Sequence, residues 1–365
     1  MRRFLQWLLR KPLTWLATHF SSSPKEKDVF ASLDLLLKEI KTGVTATGPV
    51  VPFDSQTGRF IIVSDQHKGT RDGADDFARS ENNYRTALQY YYENGFTLVN
   101  IGDAEELWEN APAPMIEKNR AVLLEEARFL AEDRYYRTFG NHDLEWKYDL
   151  PRNLYLKPLF GDKLRIPEGI LLQTCVGDKS LNLLLTHGHQ GDQQSDGNPV
   201  STWIVAALWT PIQRFLSISV NTTADSYDLV DRHNIIMYEW SARQQDLILI
   251  SGHTHKPVFA SLDHIDRITI ELHKARQNGQ TAIIEKLEKD LALRQNEYAG
   301  KKVHRTMAKP TYFNTGCCCF SDGDITAIEI SEGMIRLIKW QEENGQPTRL
   351  VLEESSLEYL ADKIG

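Results

Sequence analysis

The 365-residue chain is 41% hydrophobic and 25% charged, the balance of an ordinary globular protein rather than a disordered or fibrous one. That length accommodates one large α/β unit with insertions or two domains. A formal charge of -8 argues against a nonspecific nucleic-acid binder, although a local basic patch is still compatible with it.

The start of the chain runs against this acidity. "MRRFLQWLLRKPLTWLATHF" carries Arg2, Arg3, Arg10 and Lys11 and no acid, so the first 20 residues hold +4 and the remainder about -12. Arg10-Lys11-Pro12 cuts the apolar run short of a secretory leader, and no convincing small-residue cleavage site follows. Two readings stay open: a basic amphipathic segment lying on an anionic membrane through residues 1–20, with Trp7 and Trp15 at the headgroups, or a helix packed on its own domain or a second subunit. Residues 1–54 are read as this segment and a linker.

From about residue 55, strand-like and helix-like stretches alternate. "RFIIVSD" (59–65) predicts a buried strand, "FARSENNYRTALQYYYENG" (77–95) a helix closing on glycine, and "FTLVNIGD" (96–103) a second strand. A helix with apolar residues at 122, 123, 124, 127 and 130 follows, then a strand ending in "TFGNHDLEW". "LNLLLTHG" (181–188) and "DLILISGH" (246–253) repeat the pattern. Apolar runs that end in polar clusters are the pattern of an α/β sheet with its site at the carboxyl ends of the strands.

Two stretches interrupt the alternation. Residues 190–245 hold a very apolar helix, whose core "GNPVSTWIVAALWTPIQ" is too short for a comfortable membrane span, and then a second helix; together they read as a cap over the site. Residues 262–308 are rich in charge, with Ile283, Ile284, Leu287 and Leu291 at helical spacing and a break near Gly279, which predicts a helical insertion or arm. The chain then returns to β structure with "PTYFNTG", "DITAIEI" and "GMIRLIKW", and residues 341–365 add a strand and a helix on the domain.

Cys175 stands alone and Cys317, Cys318 and Cys319 are consecutive, a poor basis for a disulfide framework and a pointer to a reducing cytoplasm. Neighbours on a strand face opposite ways, so the triple is read as buried apolar side chains rather than convergent ligands.

The strand exits collect into one set: Asp65-Gln66-His67, Gly102-Asp103, Gly140-Asn141-His142-Asp143, His187-Gly188-His189 and Gly252-His253-Thr254-His255. On an extended segment, side chains two apart point the same way, so Asp65 with His67 and His253 with His255 are expected to converge. Imidazole and carboxylate together suit first-row metals. One shared carboxylate, for which Asp103 is the natural candidate, would clamp two ions roughly 3.5–4 Å apart. Gly140 suggests a bend too sharp or too crowded for a Cβ.

In this order the motifs D-x-H, G-D, G-N-H-D, a later histidine and G-H-x-H resemble the calcineurin-like metallophosphoesterase family over residues about 58–340, with Asn314 to Gly316 similar to its closing strand. The resemblance implies an α/β fold of two packed mixed β-sheets flanked by helices, spanning residues 55–340 here. It implies two divalent ions, with manganese first and iron, zinc or cobalt also admitted by the ligands. Asp65, His67 and His255 would hold one, Asn141, His187 and His253 the other, and Asp103 would bridge. His142 would act as proton donor or charge stabiliser, oriented by Asp143, with His189 in support. A metal-held hydroxide would attack phosphorus directly, which leaves the cysteines out of the chemistry.

Within that family "GDAEELW" (102–108) is similar to the G-D-x-x-E-x-W of the UDP-2,3-diacylglucosamine pyrophosphohydrolases, which places Glu106 and Trp108 at the substrate. His142 departs from that subfamily, which has arginine there, and the insertion at 262–308 is extra. The implied partner is therefore a phosphorylated small molecule or a lipid-linked nucleotide, in a cytoplasmic phosphatase with possible contact to a membrane surface. A catalytically idle scaffold is the contrasting class, set against a ligand set with no member missing.

Overall fold

The computed structural model describes residues 25–73, 75–191, 227–263 and 309–365, with separate positions between 272 and 291. Residues 1–20 and the apolar stretch 197–213 lie outside the described residues. No helix among the described residues is long and apolar enough to cross a membrane.

The first element is a helix, α1 (Glu26–Lys41), whose buried Val29, Leu33, Leu36, Leu37 and Ile40 recur at the spacing of one helical face. Glu26 and Asp28 in its first turn and Lys38 and Lys41 in its last complement the helix dipole. β1 (Val50–Pro52) pairs in parallel with β5 (Gly169–Val176). Residues 26–52 are thus integral to the domain, which corrects their reading as linker: five buried apolar side chains make α1 part of the core.

The central run is β2 (Phe60–Val63), α2 (Phe77–Glu93), β3 (Thr97–Ile101), α3 (Pro112–Ala131) and β4 (Tyr135–Thr138). Short helical turns at 144–160 lead to β5 and β6 (Lys179–Thr186), then α4 (Tyr227–Ser241) and β7 (Leu247–Ser251). β8 (Val258–Phe259), β9 (Leu262–Asp263), β10 (Tyr312–Asn314), β11 (Ile325–Ser331), β12 (Met334–Glu343), β13 (Gln346–Ser356) and α5 (Leu357–Ile364) complete the chain.

Two mixed sheets result, a seven-stranded one in the order β1-β5-β6-β7-β10-β8-β9 and a six-stranded one in the order β13-β12-β11-β2-β3-β4. Between them lie Phe60, Ile62, Val99, Ile101, Leu183, Leu185, Ile248 and Ile250. Alternate residues of the same strands turn outward: Ile61, Val63 and Leu98 meet α2 and α3, while Leu184, Leu247 and Leu249 meet α1 and α4. Strands buried on both faces explain the near-continuous apolar runs. Each such side chain contributes ~1.5–3 kcal/mol on burial.

α4 belongs to the outer layer rather than to a cap. Its Ile236, Met237 and Trp240 are buried with α1 against the seven-stranded sheet, because the apolar face of the helix needs an apolar partner and the sheet supplies one. In the 262–308 insertion, the described Leu272, Ala275 and Leu287 form a small core of their own with Ile284 and Leu291, while Ile283 is exposed.

Candidate metal centre

β2, β3 and β4 run parallel, as do β6, β7 and β10, so each sheet delivers three carboxyl ends to one edge of the sandwich. Every polar cluster read from the sequence leaves one of these strands. The ligand pairs converge, but not through extended backbone. Asp65, His67, Asp103, His253 and His255 have φ of 53°, 49°, 49°, 69° and 56°, all in the left-handed region. Each costs on the order of 1 kcal/mol or more for a residue with a Cβ. Backbone bonds hold the turns in place: Asp65 N donates to Gly102 O at 3.1 Å, His67 N to Asp103 O at 3.0 Å and Gly252 N to His187 O at 2.9 Å. The glycine of G-N-H-D answers to crowding rather than to φ. A Cβ on Gly140 would lie 2.6 Å from Asp103 N and overlap its carboxylate.

Ligand atoms of Asp65, His67 and His255 lie within 4.8 Å of one another, and so do those of Asp103, His187 and His253. His67 Nε2 is 3.1 Å from His255 Nε2 and 3.8 Å from Asp65 Oδ1, and His255 Nε2 is 3.3 Å from the same oxygen. Asp103 Oδ2 reaches both groups, 3.7 Å from His67 Nε2 and 3.1 Å from His187 Nε2. Asn141 Oδ1 stands 3.1 Å from His187 Nε2. All seven side chains are buried or nearly so.

These residues fit divalent cations. His187 Nδ1 donates to the Ile101 carbonyl at 3.1 Å, and His67 Nδ1 faces Glu106 Oε2 at 2.9 Å. Each arrangement ties the outer nitrogen and turns the Nε2 lone pair inward, the usual support for a metal-ligating histidine. The buried Nε2 of His253 has no hydrogen-bond partner among the described residues, a cost that a cation removes. Burial alone would raise the pKa values of Asp65 and Asp103, yet imidazoles hold both below the usual carboxylate range, His255 and His187 at Asp65 and His187 and His142 at Asp103. His67 rises against burial through Asp65 and Glu106, His187 through Asp103 and Asp65, and His255 climbs to about 10 through Asp65. The acids thus draw protons onto their neighbours. Divalent ions would supply that positive charge and leave the imidazoles neutral.

The calcineurin-like phosphoesterase family profile matches residues 58–257, more than half of the chain, and takes in all seven of these positions. The chain belongs to this family. It is a metal-dependent phosphoester hydrolase of α/β fold. Among solved structures it is similar to vacuolar protein sorting 29 from Cryptosporidium parvum, with 13% identity, 82% of this chain and 98% of that one covered, and a TM-score of 0.32. It is also similar to Vps29 complexed with Zn2+ from Entamoeba histolytica (13% identity, 81% and 99% covered, TM-score 0.28) and to a dimetal phosphatase from Danio rerio (10%, 82% and 100%, 0.34). No curated protein gives a significant match.

Beside the phosphoesterase's ligand groups, His142 stacks on Trp108 with ring centroids 4.0 Å apart and 19° between planes. Its Nδ1 meets Glu106 Oε2 at 2.7 Å. One carboxylate oxygen therefore serves both His67 and His142; burial would raise the pKa of Glu106, but His142 and His67 bring it down to about 2. This corrects the role expected of Asp143. None of its bonds is to His142: it accepts from Gly140 N at 2.6 Å, Ala104 N at 3.0 Å and Arg137 Nη2 at 3.0 Å. Asp143 fastens the loop, because its side chain turns back under the backbone that precedes it. His189 is buried, its ring centroid 5.4 Å from that of His187, and its pKa falls to about 3 through burial and then His187.

Sequence reasoning missed what lies beneath. Lys68, Glu105, Glu126 and Arg137 are all buried, and Asp143, expected in another role, joins them. Lys68 Nζ pairs with Glu126 at 2.8 Å, Arg137 pairs with Glu105, and Trp146 Nε1 donates to Glu105 at 2.8 Å. Tyr84 and Tyr135 donate to Glu126 at 3.0 and 3.1 Å. Lys68 and Glu105 follow His67 and Asp103 closely in the chain, and that adjacency to a predicted ligand was the available signal.

Asn314 closes the site by donating from Nδ2 to Gly252 O at 2.7 Å and Thr254 Oγ1 at 3.1 Å. The cysteines depart from expectation. Residues 317–319 do not form a strand, and Cys317 and Cys319 come together with His255, their ligand atoms within 4.8 Å of one another.

Proposed function

We propose that the chain is a dinuclear phosphoesterase in which Asp65, His67 and His255 hold one divalent ion, Asn141, His187 and His253 hold a second, and Asp103 bridges them. The observation that carries this reading is Asp103 Oδ2, within 3.7 Å of His67 Nε2 and 3.1 Å of His187 Nε2 at once. Two bound cations supply an activated water and neutralise the phosphoryl oxygens. The chain supplies the rest. Asn141 offers a neutral oxygen, so no further negative charge meets the phosphate. His142, held at Nδ1 by Glu106 and flat against Trp108, presents its other nitrogen to the leaving oxygen as proton donor. Manganese is the first candidate for both positions, with iron, zinc and cobalt admitted by the same N and O donors.

For the substrate, a phosphoester or pyrophosphate is the broad class. A lipid pyrophosphohydrolase of the UDP-diacylglucosamine type is the second reading. It is favoured by the G-D-x-x-E-x-W residues gathered at His142 and by Leu150 and Leu154, 79% and 60% exposed on the segment after G-N-H-D. Metal analysis of purified protein is expected to find two ions per chain. Turnover with manganese is then compared between a nucleotide-linked acyl sugar and small aryl phosphates. No preference for the lipid removes the second reading, and no turnover of either favours an idle scaffold.

A further inference from the structure

The phosphoesterase chemistry has no use for sulfur, yet two thiols stand at its edge. Cys317 is buried, Cys319 half-buried, and both lie with His255 in a group whose donor atoms are all within 4.8 Å of one another. Their spacing of two residues, in a segment without regular secondary structure, lets both side chains turn to one side. The same imidazole is 3.3 Å from Asp65 and 3.1 Å from His67, so it faces two donor sets of different character. One is the N and O set suited to manganese; the other is a set of two sulfurs and one nitrogen, which selects soft or borderline cations such as Zn2+ and Cd2+.

We propose that His255, Cys317 and Cys319 form a second, thiol-containing site for a thiophilic divalent cation, which competes with the hydrolytic centre by claiming their shared histidine. Loss of His255 from the Asp65 and His67 group leaves that group two protein ligands and Asp103. A thiophilic metal bound at the sulfurs therefore inhibits the manganese enzyme without touching its substrate surface. The proposal rests on the ligand assignment above only for its inhibitory consequence; the sulfur site itself stands on the geometry of three residues.

The test uses Cd2+ and Co2+ with the full-length reduced protein. Co2+ binding is expected to give the near-ultraviolet thiolate charge-transfer absorption, lost in Cys317→Ser and in Cys319→Ser and kept in His67→Ala. Cd2+ is expected to shield both thiols of the wild-type protein from alkylation, a measurement that needs no variant to fold. In the manganese-loaded enzyme, Cd2+ is expected to inhibit the wild type at lower concentration than Cys319→Ser. Absence of the charge-transfer band, or alkylation at an unchanged rate with Cd2+ present, overturns the site. A band that survives while His67→Ala retains full manganese-supported turnover would instead overturn the ligand assignment, so the two failures are distinguishable.

Discussion

The candidate metal centre and the ionic layer beneath it are both built from buried polar and charged residues, and they differ in how those residues are paired. In the lower layer, Lys68, Glu105, Glu126, Arg137 and Asp143 meet opposite charge, and two tyrosines and a tryptophan add further bonds, although Arg137 Nε makes no hydrogen bond among the described residues. In the upper one, imidazole nitrogens face one another at 3.1 Å, a buried nitrogen of His253 has no partner among the described residues, and five ligands sit at positive φ. Buried charges paired one to one hold loops in place; nitrogen and oxygen donors that converge on one point are arranged for a cation. The sharpest way to break this contrast is to remove one residue from each layer.

Asp103→Asn is expected to lower turnover of an aryl phosphate by about 10³-fold, with the fold intact by circular dichroism and a denaturation midpoint close to wild type. A midpoint collapse equal to that of the lower layer would erase the distinction. In that lower layer, Glu105→Ala leaves the buried Arg137 with Asp143 as its one remaining carboxylate and takes the acceptor from Trp146 Nε1, and is expected to cost ~3–5 kcal/mol of stability in urea unfolding. A loss below about 1 kcal/mol would show that water reaches the arginine.

Intermediate effects belong to the rim. His142→Asn is expected to slow hydrolysis of esters with poor leaving groups by about 10²-fold while sparing a good leaving group such as p-nitrophenol, since only the former needs a proton. Equal slowing of both would move His142 from proton transfer to charge stabilisation. Glu106→Gln weakens support for His67 and His142 together, with an expected loss of about 10-fold in metal affinity measured by competition with a chelator.

The smallest effect is on pH dependence. Burial, and then His187, push the His189 imidazole down to about 3 from 6.5, so between those values the unfolded chain carries a proton that the folded chain refuses. His189 therefore contributes a loss of stability in the metal-free protein as pH drops through that window. His189→Gln is expected to flatten the slope of urea midpoint against pH, and an unchanged slope would assign the acid sensitivity to other groups.

Much of this was legible in one dimension. Strands β2, β3, β4, β6 and β7 announce themselves as apolar runs, and each ends where Asp65, Asp103, Asn141, His187 or His253 begins. The candidate ligand residues and their order were readable from residue type and motif order, and the resemblance to the family implied how they divide, with Asp103 proposed as the bridge. Other features were hidden because they depend on contacts between distant segments. The helical face of α1 is readable as amphipathic, but its place against Leu171 and Leu184 is not. Asp143 looks like the partner of its neighbour His142, whereas the fold carries Glu106 to that ring across 36 residues.

The sequence by itself therefore determined the alternation of strands and helices, the family, and which polar side chains stand at the strand exits, since these rest on local patterning and residue type. Tertiary structure alone decided how the ligands turn inward, through left-handed backbone at five of them. It also decided which carboxylate holds His142, how buried charges pair beneath the loops, and that two cysteines join His255. Each of these depends on the approach of strand ends from two different sheets, a relation that no stretch of adjacent residues encodes.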